Sequence, residues 1–287
     1  MYSPSTRFRE QPLSQKKMLI TEMREQSPTV FRHQLDLAQL YPNEPDRLAF
    51  EERWETFLNA VGDEGDFFEK KGDTLAYLTE RLSSPSIRGR KPVLLLLGNP
   101  AIHSVRAGMF FTSERGGSEH RFWYALRQVG WLSSPDEQIS NNEDRNEARR
   151  SQLLSGDYES PFRISLDVFF RFPTPASGKP WSGVAGLTRL FGRHAVAAIA
   201  DQERTRLARS IAELAAEDGA VVTFQRDAYE RLRDEEANPY SRPLALRGEL
   251  ISNTAAGQQV KLLGAPPTYC ALWPDFRTAL RRYGHFI

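Results

Sequence analysis

From Pro92 to Leu97 every residue after the proline is Val or Leu, and the run stops at Gly98-Asn99-Pro100. A strand-length apolar run without polar alternation, closed by a turn signal, predicts a β-strand buried on both faces, as in a parallel sheet. Three further stretches read as strands: Arg163 to Phe170, Ala220 to Phe224, and Gln259 to Leu263, which ends at Gly264-Ala265-Pro266-Pro267. Between them the apolar positions take helical spacing. Glu119 to Gly130 places Phe122, Trp123, Leu126 and Val129 on one side, with Gly130 as its stop. Asp201 to Glu217 is amphipathic and closed by Gly219, and Asp227 to Leu232 and Asp275 to Tyr283 are shorter helices. Strands alternating with helices predict an α/β fold, a three-layer α/β/α sandwich around a mainly parallel sheet. Ligands of such sheets bind beyond the carboxyl ends of the strands. Three predicted ends run into unusual loops, at Gly98, Phe170 and Gly264.

Residues 1–88 read as a helical N-terminal extension to the α/β domain of residues 89–287. Asp46 to Val61 carries Leu48, Phe50, Trp54, Phe57 and Leu58 at helical spacing, with Asp46 as N-cap. Thr74 to Leu82 reads as a second short helix, broken by Ser83-Ser84-Pro85-Ser86 before the basic Arg88 to Lys91. Ala101 to Ser118 and Pro173 to Gly183 read as loops, and Ser134 to Ser155 as a surface loop with a helical turn.

The composition narrows the classes. The chain has 287 residues, 40% of them hydrophobic, which is enough for one large domain or two small ones. A net charge of +1 argues against a polybasic nucleic-acid binder but leaves room for local basic patches. Arg88-Arg90-Lys91, Arg149-Arg150 and Arg281-Arg282 are candidates to track phosphates, or are solvated surface. One cysteine, Cys270, excludes an internal disulfide framework and a cysteine-ligated zinc or iron–sulfur centre. Met1 to Arg9 is polar, and no apolar run reaches bilayer length, so a soluble, cytoplasmic monomer is expected. No metal and no cofactor are called for.

The segment from Leu94 to Gly130 carries the chemistry. It contains Asn99-Pro100 at a strand end, Gly108 to Phe111 in the following loop, and His120-Arg121-Phe122-Trp123 at a helix start. Order and spacing of these three pieces resemble the first active-site motif of the uracil-DNA glycosylase superfamily, nearest the mismatch-specific uracil and thymine glycosylases. The resemblance implies a DNA partner and a monofunctional glycosylase that hydrolyses the N-glycosidic bond of a flipped base. It assigns Asn99 to orienting the attacking water and Phe111 to stacking on the extruded base. Gly98, Pro100, Ala101 and Ser104 fall in the base-binding turn, whose amides from Ala101 to Ser104 face the base or a phosphate, and Arg121 falls among DNA contacts. Ile164 to Phe170 resembles the family's second strand and puts Asp167 at a base-reading position. Val221 to Leu232 resembles a later strand and helix. Read without the family, Asn99-Pro100 is ordinary turn chemistry. Asp167 is equally a buried, backbone-capping carboxylate, and His103 and His120 read as hydrogen-bonded structural residues.

The second motif departs from the family. Its Asn-Pro-Ser or His-Pro-Ser turn is replaced by Ala265-Pro266-Pro267-Thr268-Tyr269. Ala265 lacks the donor that would stabilise a departing uracil anion, while Thr268 and Tyr269 stand where the DNA-wedging loop falls. Tyr269 is equally a cover for the core. The departure shifts the expected target from uracil to a modified base. Some prokaryotic members of the superfamily resemble antiphage enzymes that excise glucosylated hydroxymethylcytosine, which makes a modified cytosine the candidate and antiviral defence the setting. Two other readings stand beside this one: a non-catalytic DNA- or nucleotide-binding module on the same fold, and an interaction scaffold docking through residues 1–88.

Overall fold

The computed structural model describes residues 20–112, 117–133, 139–176 and 178–287. The polar Met1 to Arg9 and the middle of the loop before Ser118 lie outside the described residues. The strands are β1 (Ile20–Ser27), β2 (Val30–Asp36), β3 (Phe68–Lys71), β4 (Thr74–Glu80), β5 (Lys91–Leu97), β6 (Phe162–Val168), β7 (Ala220–Thr223), β8 (Ile251–Ser252) and β9 (Lys261–Gly264). The helices are α1 (Leu37–Leu40), α2 (Glu44–Val61), α3 (Ile102–Ala107), α4 (Arg121–Gln128), α5 (Asn142–Ser155), α6 (Gly183–Phe191), α7 (Arg193–Ala215), α8 (Arg226–Leu232), α9 (Arg242–Leu246) and α10 (Pro274–Gly284).

The central sheet has the order β6-β5-β7-β9-β8, parallel throughout except for the antiparallel edge strand β8. Its strand β5 is buried on both faces, as its unbroken apolar run requires. Leu94 and Leu96 enter one core, while Val93, Leu95 and Leu97 enter the other. Residues of α2, α6, α7 and α8 fill the first core, and those of α4 and α10 fill the second. Helices therefore cover both faces, an arrangement compatible with a three-layer sandwich.

The N-terminal region departs from the helical extension expected of it. Among the described residues it holds a four-stranded antiparallel sheet of order β1-β2-β4-β3, with α2 as its one long helix. Thr74 to Leu82 is mostly strand β4 rather than helix, because Lys71 pairs with Thr74 across the two-residue loop Gly72-Asp73. Gly72 takes φ +54°, and Gly-Asp between two pairing runs is a hairpin signal. The strand β2 alternates as a half-buried strand should, with Phe31, His33 and Leu35 buried.

In α2 the cap is Asn43, whose side chain accepts from the Asp46 amide at 3.0 Å, so the helix starts earlier than an Asp46 cap would place it. Phe50, Trp54, Phe57 and Val61 face inward, but Leu48 is 57% exposed. Two further stretches read as loops hold helices. Ser134 to Ser155 contains the 14-residue α5, and α3 lies just beyond Ala101.

Residue 88 is not a structural break. Leu35, Phe50, Phe57, Leu75 and Tyr77 share one core with α6, α7 and the central sheet. Leu82 exchanges backbone hydrogen bonds with Leu166, at 2.9 and 2.8 Å, along the edge of β6. A buried ion network closes the junction. Arg171 contacts His33 Nδ1 at 2.9 Å and donates to Glu203 at 3.0 Å. Arg206 then joins Glu203 at 2.7 Å to Asp167 at 2.5 Å. Charges this deep are tolerable only when paired and hydrogen-bonded.

Candidate functional site

A cavity of about 990 Å³ opens at the carboxyl ends of the parallel strands. Leu97 to Ala101 follow β5, Thr174 to Ala176 follow β6, Phe224 and Gln225 follow β7, and Pro267 to Tyr269 follow β9; all line it. The chain runs outward from β5 to β6 and then crosses back to β7, so the cavity sits at the switch in strand order, where open α/β sheets place ligands.

The turn after β5 is knitted to the loop after β6. Thr174 N donates to the Pro100 carbonyl and Ile102 N to the Thr174 carbonyl, each at 3.0 Å. The Thr174 hydroxyl accepts from Asn99 Nδ2 at 2.7 Å and from Gly183 N at 2.9 Å. Asn99 Nδ2 also reaches the Pro100 carbonyl at 3.2 Å. With its amide nitrogen committed, Asn99 has a fixed orientation, and its Oδ1 is the atom left to accept a hydrogen bond from water. Gly98 packs closely beside it: a Cβ there would stand 3.0 Å from Gln225 Cγ, so the Gln225 side chain would have to shift.

The opposite wall is aromatic. Phe111 is half-buried and sits at φ +52°, in the left-handed region that favours glycine. Trp123 Nε1 holds it there by donating to the carbonyls of Phe110 and Phe111, at 3.2 and 3.1 Å. Such backbone strain persists where the surroundings over-determine it. The Phe111 ring stacks on His120 at 4.6 Å and tilts against Phe122 at 4.3 Å. The aromatic wall is thus a Phe111–His120 pair rather than a lone phenylalanine. His120 also caps α4, its Nδ1 accepting from Phe122 N at 3.2 Å.

Of the residues singled out in the sequence, Gly98, Asn99, Pro100, Ala101, Ser104, Phe111, Arg121, Thr268 and Tyr269 all line this one cavity. Asp167 and Ala265 do not. Asp167 is 2% exposed, bonds its neighbour's amide (Val168 N, 2.7 Å) and pairs with Arg206, so it braces the sheet instead of reading a base. Ala265 is fully buried in the second core, and its amide still bonds the Thr223 carbonyl at 2.8 Å. The Ala101–Ser104 amides are partly spent: Ile102 N bonds Thr174 and Ser104 N bonds the Ala101 carbonyl. Ala228 and Tyr229 of the later strand-plus-helix pack in the core. Of the basic-cluster residues in ion pairs, only Arg149 is buried; the others pair at the surface. Arg149 is buried over Trp123 and paired with Glu119, Arg150 pairs with Glu147, Arg282 with Glu249, and Lys91 with Asp218.

Beyond the residues singled out in the sequence, the site includes Thr174, Glu80 and the neighbours of Tyr269. Thr174 anchors the Asn99 amide. Glu80, the last residue of β4, reaches the cavity from the N-terminal sheet. At the rim, Tyr269, Leu272 and Trp273 are 57%, 53% and 41% exposed, and the Arg242 guanidinium lies over both the Tyr269 and the Trp273 rings.

Among the described residues no group of three or more His, Cys, Asp or Glu is placed to hold a metal ion, and no helix is long and apolar enough to cross a membrane. No protein-family model matches the chain, and no curated protein matches it. The cavity itself therefore carries the functional reading.

Proposed function

We propose that the protein is a DNA glycosylase with a uracil-DNA-glycosylase-like fold, which hydrolyses the N-glycosidic bond of a base extruded into this cavity. One observation carries the reading: Asn99, Phe111 and the Thr268-Tyr269 turn, up to 170 residues apart in the chain, line one cavity at the strand ends. Asn99 Oδ1 accepts a hydrogen bond from a water and aims it at C1′ of the sugar. An amide orients water without being much of a base, so the barrier falls mainly through stabilising the departing base. The Phe111–His120 wall receives the base, and stacking offsets part of the cost of leaving the helix. Arg121 contributes positive charge at the cavity wall, and Tyr269, Leu272 and Trp273 form an apolar edge to occupy the vacated stack.

The target we infer is a modified base, a substituted cytosine such as glucosylated hydroxymethylcytosine of phage DNA. A volume of about 990 Å³ is at the upper end for small-molecule sites. The small residues Gly98, Ala101, Ala176 and Gly183 supply the room, rather than Ala265.

The test is to incubate the protein with duplexes carrying uracil, hypoxanthine, hydroxymethylcytosine or its glucosylated form, and to look for alkali-labile sites. Excision of one of these, lost in Asn99→Ala, is expected. Excision untouched by that substitution removes Asn99 from its role. A second reading, DNA binding without catalysis, is favoured by the burial of Ala265, which leaves the second turn without a donor for a leaving base. It predicts salt-sensitive binding with no abasic product on any duplex.

A further inference from the structure

Breaking a glycosidic bond sends an electron pair onto the base, so the cavity needs a group that neutralises it. Among the described residues, Glu80 is the carboxyl in this wall. It is 1% exposed, it lines the cavity, and its Oε2 has no hydrogen-bond partner. A buried carboxyl oxygen without a partner is costly unless a ligand completes it. Val30, its neighbour across β2, and Thr79 beside it bring no charge, while Arg81, the next residue, lays its guanidinium over the Phe31 ring. The titratable and charged groups facing the same cavity are His103, His120, Arg121 and Tyr269. The charge-neutral form of Glu80 is favoured by burial, which pushes its carboxyl well above the usual carboxylate range.

We propose that Glu80, delivered by the N-terminal sheet, is the proton donor to the departing base. The step balances without a co-reactant. The C1′–N bond breaks and its electron pair goes to the base, which takes the Glu80 proton on a ring nitrogen or carbonyl oxygen. Water adds to C1′, and its released proton returns to the Glu80 carboxylate. The same protonated carboxyl has a donor and an acceptor side by side, which suits the amidine edge of a cytosine-type base better than a carboxylate would. This also gives the N-terminal sheet a function: it closes the cavity with an acid that the strand ends lack. The proposal rests on the glycosylase reading above.

The experiment uses the full chain as wild type, Glu80→Gln and Glu80→Asp. Single-turnover excision is followed from pH 5 to 9 on the panel of duplexes named above, and melting temperature is followed over the same range. Glu80→Gln is expected to slow excision by about 100-fold or more. Wild-type excision falls as pH rises through the raised Glu80 value, and that limb is absent in Glu80→Gln and shifted in Glu80→Asp. Independently of activity, the melting temperature of Glu80→Gln rises relative to wild type as pH increases. Glu80→Gln excising at the wild-type rate with the same alkaline limb overturns the proton-donor role and leaves the glycosylase reading standing. A slowed variant that keeps the limb also overturns it, by making Glu80 structural. A wild type that excises nothing overturns both.

Discussion

Replacing Thr174 by valine is the sharpest probe of how the cavity is held. Valine matches the shape of threonine but removes the hydroxyl that accepts from Asn99 Nδ2 at 2.7 Å and from Gly183 N at 2.9 Å. Thr174 is 2% exposed, so water cannot easily take its place. A buried donor left without a partner costs about 1–3 kcal/mol. Asn99 and Gly183 are half-buried, which puts each at the low end and the pair near 2 kcal/mol in total, roughly. For a chain of 287 residues that corresponds to a melting temperature lower by about 3 °C. The catalytic effect is separate. Without Thr174 the Asn99 amide keeps only its 3.2 Å bond to the Pro100 carbonyl, its oxygen aims water less well, and single-turnover excision falls by about 10- to 100-fold. Thr174→Ser keeps the hydroxyl and should restore the rate. Thermal melting and single-turnover excision on the duplex the wild type cleaves are the two assays. Thr174→Val with full excision, beside an inactive Asn99→Ala, would refute the anchoring argument.

Three other outcomes are expected. Leu272→Ala with Trp273→Ala should cost about 1–2 kcal/mol of stability, since the two side chains are 53% and 41% exposed and Trp273 also packs under Arg242. Duplex affinity measured by fluorescence polarisation should drop as well; an unchanged affinity takes these residues out of the DNA contact. Glu203→Gln leaves Arg171 and Arg206 short of their shared counter-charge, and urea denaturation should show a loss of about 3 kcal/mol. The pH dependence of stability sets two groups against each other. His33 is held down to about 2, first by burial and then by the charges of Arg171, Arg206 and Arg81. The unfolded chain binds that proton near 6.5, so the His33 contribution is complete above this pH and is lost below it, at up to about 1.4 kcal/mol per unit. Glu80 is raised, so its contribution is complete below its ordinary 4.5 and is lost as pH rises towards its folded value. Between pH 4.5 and 6.5 the two slopes oppose each other. Glu80→Gln should therefore lose stability more steeply than wild type as pH falls through that window. Parallel urea midpoints for the two proteins would contradict this.

Much of the central sheet was legible in the sequence because its strands obey local rules. The run from Pro92 to Leu97 and the stop at Gly98-Asn99 name a doubly buried strand and its turn without reference to any other residue. The helices α4, α7, α8 and α10 announce themselves in the same way, through the spacing of their apolar positions. The antiparallel sheet was harder to see. Leu, Ala and Glu in Thr74 to Glu80 favour a helix intrinsically, and only pairing with β2 and β3 makes the segment a strand. The Gly72-Asp73 loop was the available clue.

The candidate site divides along the same line. Asn99 and Phe111 belong to one contiguous segment with recognisable spacing, and the chain order alone marks them. Asp167 and Ala265 sit at plausible positions on their strands, yet which face a side chain takes depends on the neighbours packed against it. The ion network claimed Asp167 and the second core claimed Ala265. Thr174 and Glu80 have ordinary local surroundings. They become part of a cavity because parallel strands deliver their carboxyl ends to one edge, and because a second sheet, fused through a shared core, pushes the end of β4 into the same space. Local periodicity therefore determined most of the central sheet and the helices α4, α7, α8 and α10, while the antiparallel sheet and the meeting of Glu80, Asn99, Thr174 and Tyr269 were decided by strand pairing, sheet topology and burial that only the assembled chain imposes.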